Sequence, residues 1–247
     1  AYTFVYVDGT LTVQPRALIV TPTDKTKVYG DVFSAFTGLI TGIQFGDNIT
    51  ATYASAGAPA TANIGDYPIT ATLNDPDNKL GNYTVTLNTG TLSVTPRALT
   101  VTPADKTKIY GAVFTAFTGT ITGVQAGDTI TVTYDSPGAP ATAAIGDYPI
   151  NATLNDPGNR LPNYTVTLNI GTLSVTPRAL VVTPDNKSKV FGTVFTAFTG
   201  TITGIQNGDN ITATYASPGA PAAAPVGTYP ITATLNDPDN RLPNYTI

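Results

Sequence analysis

The segment Pro15-Arg16-Ala17-Leu18 returns as Pro96-Arg97-Ala98-Leu99 and again as Pro177-Arg178-Ala179-Leu180, a step of 81 residues each time. Tyr53, Tyr134 and Tyr215 keep that step, and so do Tyr67, Tyr148 and Tyr229. No insertion or deletion breaks the register. A period this long suits an array of small domains rather than a solenoid of short units. It places one repeat at residues 15–95, a second at 96–176 and a third at 177–247. Residues 1–14 read as the last strands of a preceding repeat. The third repeat lacks the corresponding strands at its own end.

Within the middle copy the apolar residues alternate. Leu99 and Val101 alternate with Thr100 and Thr102; Ile130, Val132 and Tyr134 with Thr131 and Thr133; Tyr148, Ile150, Ala152 and Leu154 with Pro149, Asn151 and Thr153; Tyr164, Val166 and Leu168 with Thr165 and Thr167. A period of two with one apolar face marks half-buried strands. Turn chemistry separates them at Ala126-Gly127-Asp128, Ser136-Pro137-Gly138 and Asn155-Asp156-Pro157-Gly158-Asn159. About seven short strands per copy predict an all-β chain, a tandem array of Ig-like β-sandwich domains. A β-grasp layout is the alternative, and it would need a helix for which no helical period exists.

Composition agrees. Only 11% of residues are charged, against roughly 25% in an average soluble domain. The polar surface comes instead from Thr, which favours strands, and from Gly, Pro and Asn, which favour turns.

The last two strands of each copy are expected to face one another. With Thr89-Gly90 as a two-residue hairpin loop, Leu87 opposes Leu92 and Val85 opposes Val94. Asp8-Gly9 likewise sets Tyr6 opposite Leu11, and Asp-Gly is a strong hairpin signal. Thr89 and Ile170 suit positive φ poorly, which leaves a bulge in one long strand as the alternative. The join between copies, Val94-Thr95-Pro96-Arg97-Ala98-Leu99, holds no Gly/Ser linker. Proline fixes φ, so the join is expected to be stiff and the array rod-like.

The order Lys108-Ile109-Tyr110-Gly111, Phe117-Thr118-Gly119-Thr120-Ile121-Thr122-Gly123, Gly127-Asp128, Gly146-Asp147-Tyr148-Pro149-Ile150, Asn163-Tyr164-Thr165-Val166 and Gly171-Thr172-Leu173-Ser174-Val175 resembles the MBG domain of the YGX type. The resemblance covers the whole chain three times over. It implies an extracellular, repetitive, non-enzymatic part of a bacterial surface or secreted adhesin, and it names no ligand. The third copy departs at Phe191-Gly192, where the others have Tyr-Gly. An aromatic is kept, so packing is expected to be unaffected.

Several chemistries lack their residues. The chain has no Cys, Met, Trp or His, and all 16 acidic residues are Asp. Missing Cys removes disulfides and thiolate metal sites. Missing His removes the commonest general base and metal ligand. No Ser/His/Asp, Cys/His or phosphate-loop constellation is present, so no enzyme is expected. With a net charge of −4 and no basic patch, nucleic acid is not an expected partner. No apolar run is long enough for a membrane helix. A chain without Met is expected to be a processed or excised piece.

The remaining candidates each have a plain structural reading. Asp47, Asp128 and Asp209 follow Gly in turns. They are weak calcium candidates, since Ca²⁺ takes oxygen ligands, but Asp also bonds its own turn; no other cofactor is expected. Lys25, Lys27, Lys106, Lys108, Lys187 and Lys189 are expected on the solvent face of an edge strand, where they discourage sheet-to-sheet pairing. At the joints Pro15, Arg16, Pro96, Arg97, Pro177 and Arg178 recur, and the arginines are expected to touch the neighbouring copy. The Phe33/Phe36, Phe114/Phe117 and Phe195/Phe198 pairs are expected in the core.

Two readings of the ends follow. The chain is either a window of a longer covalent array or a subunit whose N-terminal hairpin (Tyr2, Phe4, Tyr6, Leu11, Val13) completes the third copy of another molecule by strand complementation. The functional expectation is a structural stalk or surface filament, with neighbouring repeats or identical subunits as partners. The alternative is a module that binds host or cell-surface glycan or mucin through several weak copies.

Overall fold

A computed structural model describes all of residues 1–247. The first copy contributes β1 (Arg16–Pro22), β2 (Lys25–Val28), β3 (Gly38–Thr41), β4 (Thr50–Ser55), β5 (Gly65–Asn74), β6 (Tyr83–Leu87) and β7 (Gly90–Thr95). They form two sheets, one in the order β3-β1-β6 and one in the order β2-β7-β5-β4. The only helical element in the copy is a single 3₁₀ turn at Leu80–Asn82. The chain is thus an all-β tandem array.

Alternation sets which face goes inward. Leu18 and Val20 on β1 are fully buried, while Thr21 between β1's inner positions is exposed. Leu18 packs with Ile49 and Tyr83, and Ile40, Ile43, Leu73 and Leu80 close around them. Removing such side chains from water stabilises a fold by about 1.5–3 kcal/mol each.

The pairing is mixed. β1 runs antiparallel to β3, with Val20 opposite Ile40, and parallel to β6, with Leu18 opposite Val85. β7 runs antiparallel to β5, with Leu92 opposite Tyr67, and parallel to β2, with Lys27 opposite Val94.

This corrects the hairpin reading. β6 and β7 lie in different sheets and do not pair. Leu92 and Val94 are buried at 0% and 4% exposure, whereas Val85 and Leu87 are 38% and 49% exposed. The same holds for Val166 and Leu168 in the middle copy. The chain changes sheets at Asn88 and Thr89. Asn88 N–H still donates to Val20 O at 2.9 Å, and Thr91 N–H is taken by Asp24 Oδ1 at 2.7 Å. Gly90 is not a turn residue with positive φ. A Cβ there would lie 3.0 Å from Pro22 O and 3.1 Å from Pro22 Cβ, so glycine allows a close approach that a larger residue would have to push apart. The bulge alternative, one nearly continuous strand, is closer to what is observed.

The middle copy repeats the pattern with β8 (Arg97–Pro103), β9 (Lys106–Ile109), β10 (Gly119–Thr122), β11 (Thr131–Asp135), β12 (Gly146–Asn155), β13 (Tyr164–Leu168) and β14 (Gly171–Thr176), in the orders β10-β8-β13 and β11-β12-β14-β9. The third copy has β15 (Arg178–Ala179), β16 (Val181–Pro184), β17 (Gly200–Thr203), β18 (Thr212–Ala216), β19 (Thr232–Asn236) and β20 (Tyr245–Thr246). These pair only in twos: β15 with β20, β16 with β17 and β18 with β19.

By compactness the chain divides into two units. One is Ala1–Leu99 with Gly123–Ile130 and Asp156–Val166; the other is Thr100–Thr122 with Thr131–Asn155 and Thr167–Ile247. The division passes through the middle copy and not through the joins between copies. Each join therefore lies inside one unit.

Residues 1–14 form no strand or helix. Tyr2, Phe4, Tyr6, Leu11 and Val13 are all more than 80% exposed, from 81% at Phe4 to 96% at Tyr2. The N-terminal hairpin expected from Asp8-Gly9 is not formed.

Candidate functional site: the joint between copies

The richest set of buried polar contacts lies where one copy meets the next. In the first joint, Tyr29 follows β2 and is 2% exposed. Its hydroxyl donates to Asp128 of the next copy, with Oδ2 at 3.0 Å. Its ring packs edge-on against Tyr164, with centroids 5.5 Å apart. Tyr164 donates its own hydroxyl to the same Asp128 oxygen and accepts the Gln125 N–H at 2.9 Å. One carboxylate thus gathers two tyrosines from two copies, with the Arg160 guanidinium 3.9 Å away. Burial and then the bond to Asp128 push the Tyr164 hydroxyl up to about 12.

Gly30 sits beside Tyr29 with φ +90, and a Cβ there would fall 2.2 Å from Gln125 Oε1 of the next copy. The Tyr-Gly pair therefore works as a unit. The tyrosine reaches across, and the glycine lets the neighbouring glutamine close over it.

The second joint repeats the first. Tyr110 donates to Asp209 Oδ2 at 2.9 Å and packs edge-on against Tyr245 at 5.4 Å. Tyr245 donates to that oxygen at 2.6 Å, and burial followed by Asp209 pushes its hydroxyl up to about 12. Gly111 approaches Gln206 as Gly30 approaches Gln125.

A second line of contact runs through asparagine. Asn163, 4% exposed, accepts the Ile64 N–H at 3.0 Å and donates to Asn63 Oδ1 at 3.0 Å. Asn244 accepts the Ile145 N–H at 3.0 Å in the same way.

The arginines after the joint prolines turn back to the preceding copy. Arg97 donates through Nη1 to Tyr29 O of the preceding copy at 3.3 Å, with Asp31 at 3.5 Å, and through Nε to Gly123 O of its own copy at 3.0 Å. Arg178 Nη1 donates to Tyr110 O at 3.3 Å. Pro96 and Pro177 carry the chain from β7 and β14 into these arginines, while Pro15 and Arg16 are exposed.

The three turn aspartates are thus placed as acceptors for tyrosine. Asp47, in the first copy, takes only its own copy's Tyr83, at 2.7 Å. No three acidic side chains lie together in a metal-holding group.

The lysines differ from expectation. Lys27 and Lys108 are each 6% exposed, although their strands stand at a sheet edge. Lys27 Nζ donates to three carbonyls: Asp31 O at 2.9 Å, Ala58 O at 3.3 Å and Pro59 O at 2.5 Å. Lys108 does the same with Ala112, Ala139 and Pro140. Three backbone oxygens replace the hydration of the ammonium, which is what permits its burial. Alternation alone could not reveal a cradle built by a loop some thirty positions on.

The phenylalanine pairs stack edge-on at 4.9 Å in every copy, but they are half-buried and lie outside the fully buried core.

Phe191 is the third copy's residue at the position of Tyr29 and Tyr110. Within residues 1–247 it is 65% exposed. The position faces a neighbouring copy, and Phe lacks the hydroxyl.

The model of the MBG domain (YGX type) matches residues 18–93, 99–174 and 180–247. The chain belongs to that family. The Tyr-Gly that gives the MBG repeat its description is, in the first two copies here, the pair that reaches the following copy. Among curated protein sequences none matches. Among solved structures, one described as the structure of Yersinia pseudotuberculosis InvD is similar over 93% of this chain and 87% of that one, at 12% identity and a TM-score of 0.22. No helix is long and apolar enough to cross a membrane.

Proposed function

We propose that these MBG repeats are a structural, load-carrying section of an extracellular bacterial surface protein: a stalk or fibre that holds and spaces whatever it is joined to, with no catalytic chemistry of its own. The observation that carries the reading is the joint. Buried tyrosine, aspartate and asparagine contacts, with half-buried arginines beside them, are spent on tying each copy to the next, and they recur at both joins. A binding array has no need of such joints; flexible linkers would serve avidity as well.

Tethering the full chain between its two ends in an optical trap tests this. A load-carrying array unfolds in discrete steps and shows no gradual lengthening before the first step. Smooth extension at low force would contradict the reading.

A further inference from the structure

One turn of the third copy, Gln206-Asn207-Gly208-Asp209, touches the copy before it through Gln206, Asn207 and Asp209. Gln206 closes over Gly111. Asn207 Nδ2 donates to Ala141 O at 3.0 Å. Asp209 accepts the Tyr110 hydroxyl at 2.9 Å. Ala141 O also accepts the Gly111 N–H at 3.2 Å, so the Asn207 amide and the glycine of the Tyr-Gly pair meet on one carbonyl.

The turn is closed by Asp209 N–H to Gln206 O at 2.8 Å. Both of its central residues have positive φ, 54 at Asn207 and 71 at Gly208. Asn-Gly is the pair that such a turn favours. Asparagine is also a thermolabile residue, most of all before glycine. A side chain on the following residue shields the backbone nitrogen from the asparagine Cγ, and glycine has none. Asn207-Gly208 is the one Asn-Gly step in the sequence. Asn78, Asn159 and Asn240 share the positive φ, but Lys79, Arg160 and Arg241 follow them. Asn207 is exposed, and nothing stands within 4 Å of where a Cβ on Gly208 would lie. The first joint has Ala126 at this position and so has no such amide.

We propose that Asn207 is a self-modification site: opening of the second joint releases its amide to deamidate, and the carboxylate left behind keeps that joint from closing as before.

The step needs only water. The Gly208 backbone nitrogen attacks Asn207 Cγ and forms a new C–N bond. The Cγ–Nδ2 bond breaks, and Nδ2 leaves as ammonia with the proton that the Gly208 nitrogen gives up. Water then opens the cyclic imide at either of its carbonyls. The product is aspartate or isoaspartate at position 207. Nothing is oxidised or reduced, and a water enters for each ammonia lost.

In the closed joint the leaving nitrogen is the one that donates to Ala141 O. The amide is tied to the neighbouring copy and is not free to turn toward Gly208. Opening the joint frees it. After the reaction the contact changes sign. A carboxylate is ionised at neutral pH and has no proton to give Ala141 O, so oxygen faces oxygen. The new charge also joins the turn that carries Asp209, which already holds Tyr110 and Tyr245, and like charges in one site disfavour each other. A second joint that has once opened is thereby marked and weakened, while the first joint is not. This goes beyond the stalk reading and holds whether or not the chain carries load.

The experiment is incubation of the full chain in mildly alkaline buffer, with peptide mapping by mass spectrometry over time. The expected result is first-order conversion at Asn207, severalfold faster than at Asn78, Asn159 or Asn240. Tyr110→Phe, which removes one bond of the joint, should raise the Asn207 rate severalfold. Asn207→Asp, which stands in for the product, should unfold at a lower denaturant concentration than the parent. Tyr110→Phe keeps the ring and Asn207 is exposed, so both variants keep the fold. Conversion at Asn207 no faster than at the other asparagines would overturn the proposal. So would a Tyr110→Phe rate equal to the parent's, or an Asn207→Asp midpoint equal to the parent's. Any of these failures leaves the trap measurement on single tethered molecules standing.

Discussion

Tyr29 and Asp128 are 99 positions apart, and their side chains meet at 3.0 Å. Tyr110 and Asp209 repeat the relationship at the same separation and 2.9 Å. One repeat step and part of another separate the partners, so each bond joins neighbouring copies. Replacing Tyr29 or Tyr110 with Phe keeps the edge-on ring contact and removes only the bond. A hydrogen bond to a charged acceptor contributes about 1.5–3 kcal/mol. Each substitution is expected to lower stability by an amount in that range in denaturant unfolding. No change in the midpoint would mean that the hydroxyl is idle.

The same cluster sets a pH dependence. Tyr164 and Tyr245 are pushed up to about 12, by burial first and their aspartates second. Burial raises Tyr29 and Tyr110, and the bond to Asp47 raises Tyr83. The unfolded chain releases these protons near pH 10, while the folded chain keeps them. Their stabilisation is thus complete below about pH 10 and is lost as the pH rises through about 12. Lys27 and Lys108, lowered by burial, act the opposite way, because the folded chain sheds their protons first. The tyrosines are expected to set the sign, since two of them are shifted up to about 12. The denaturation midpoint is expected to fall over that alkaline window, and phenolate absorbance should show a late-titrating class. A midpoint that rises there would show that the lysines dominate.

The lysine cradle makes its own prediction. Lys108→Met retains an apolar stem of similar length but leaves the Ala112, Ala139 and Pro140 carbonyls without their donor. A buried polar group stranded in this way costs about 1–3 kcal/mol. Lys106→Met, one pleat away on the same strand and only half-buried, should stay within about 0.5 kcal/mol of the parent. Equal effects at the two positions would remove the cradle from the account.

The sheet change between β6 and β7 separates two leucines that a hairpin would treat alike. Leu92→Ala should cost about 2–5 kcal/mol, as for other fully buried leucines. Leu87→Ala, at an exposed position, should change stability by less than about 0.5 kcal/mol. Comparable losses at both would restore the hairpin.

These contrasts show what could be read from the residues. The 81-residue step, the alternation of Leu99 and Val101 with threonine, and the turns around Gly127 and Gly138 were enough for an all-β array of three copies. Gly90 was legible as a glycine of consequence but not for its reason. A turn glycine and a glycine pressed against Pro22 look the same in a sequence, and only the partner strand tells them apart. The joint was half legible. Tyr110-Gly111 and Gly127-Asp128 stood out as motifs, but a perfect repeat cannot say whether Tyr110 meets Asp128 in its own copy or Asp209 in the next. Phe191, in place of the repeated tyrosine, marked the position as aromatic but not the partner of its hydroxyl. The buried lysines left no such trace, because the carbonyls that hold them belong to the backbone.

The claim that neighbouring copies are held by specific side-chain bonds is tested most directly by a double-mutant cycle on the full chain with Tyr110→Phe, Asp209→Asn and the pair, followed by equilibrium unfolding. The account predicts a coupling energy of about 0.5–3 kcal/mol, as for directly bonded groups. Strictly additive effects, with no coupling between the two sites, would contradict it.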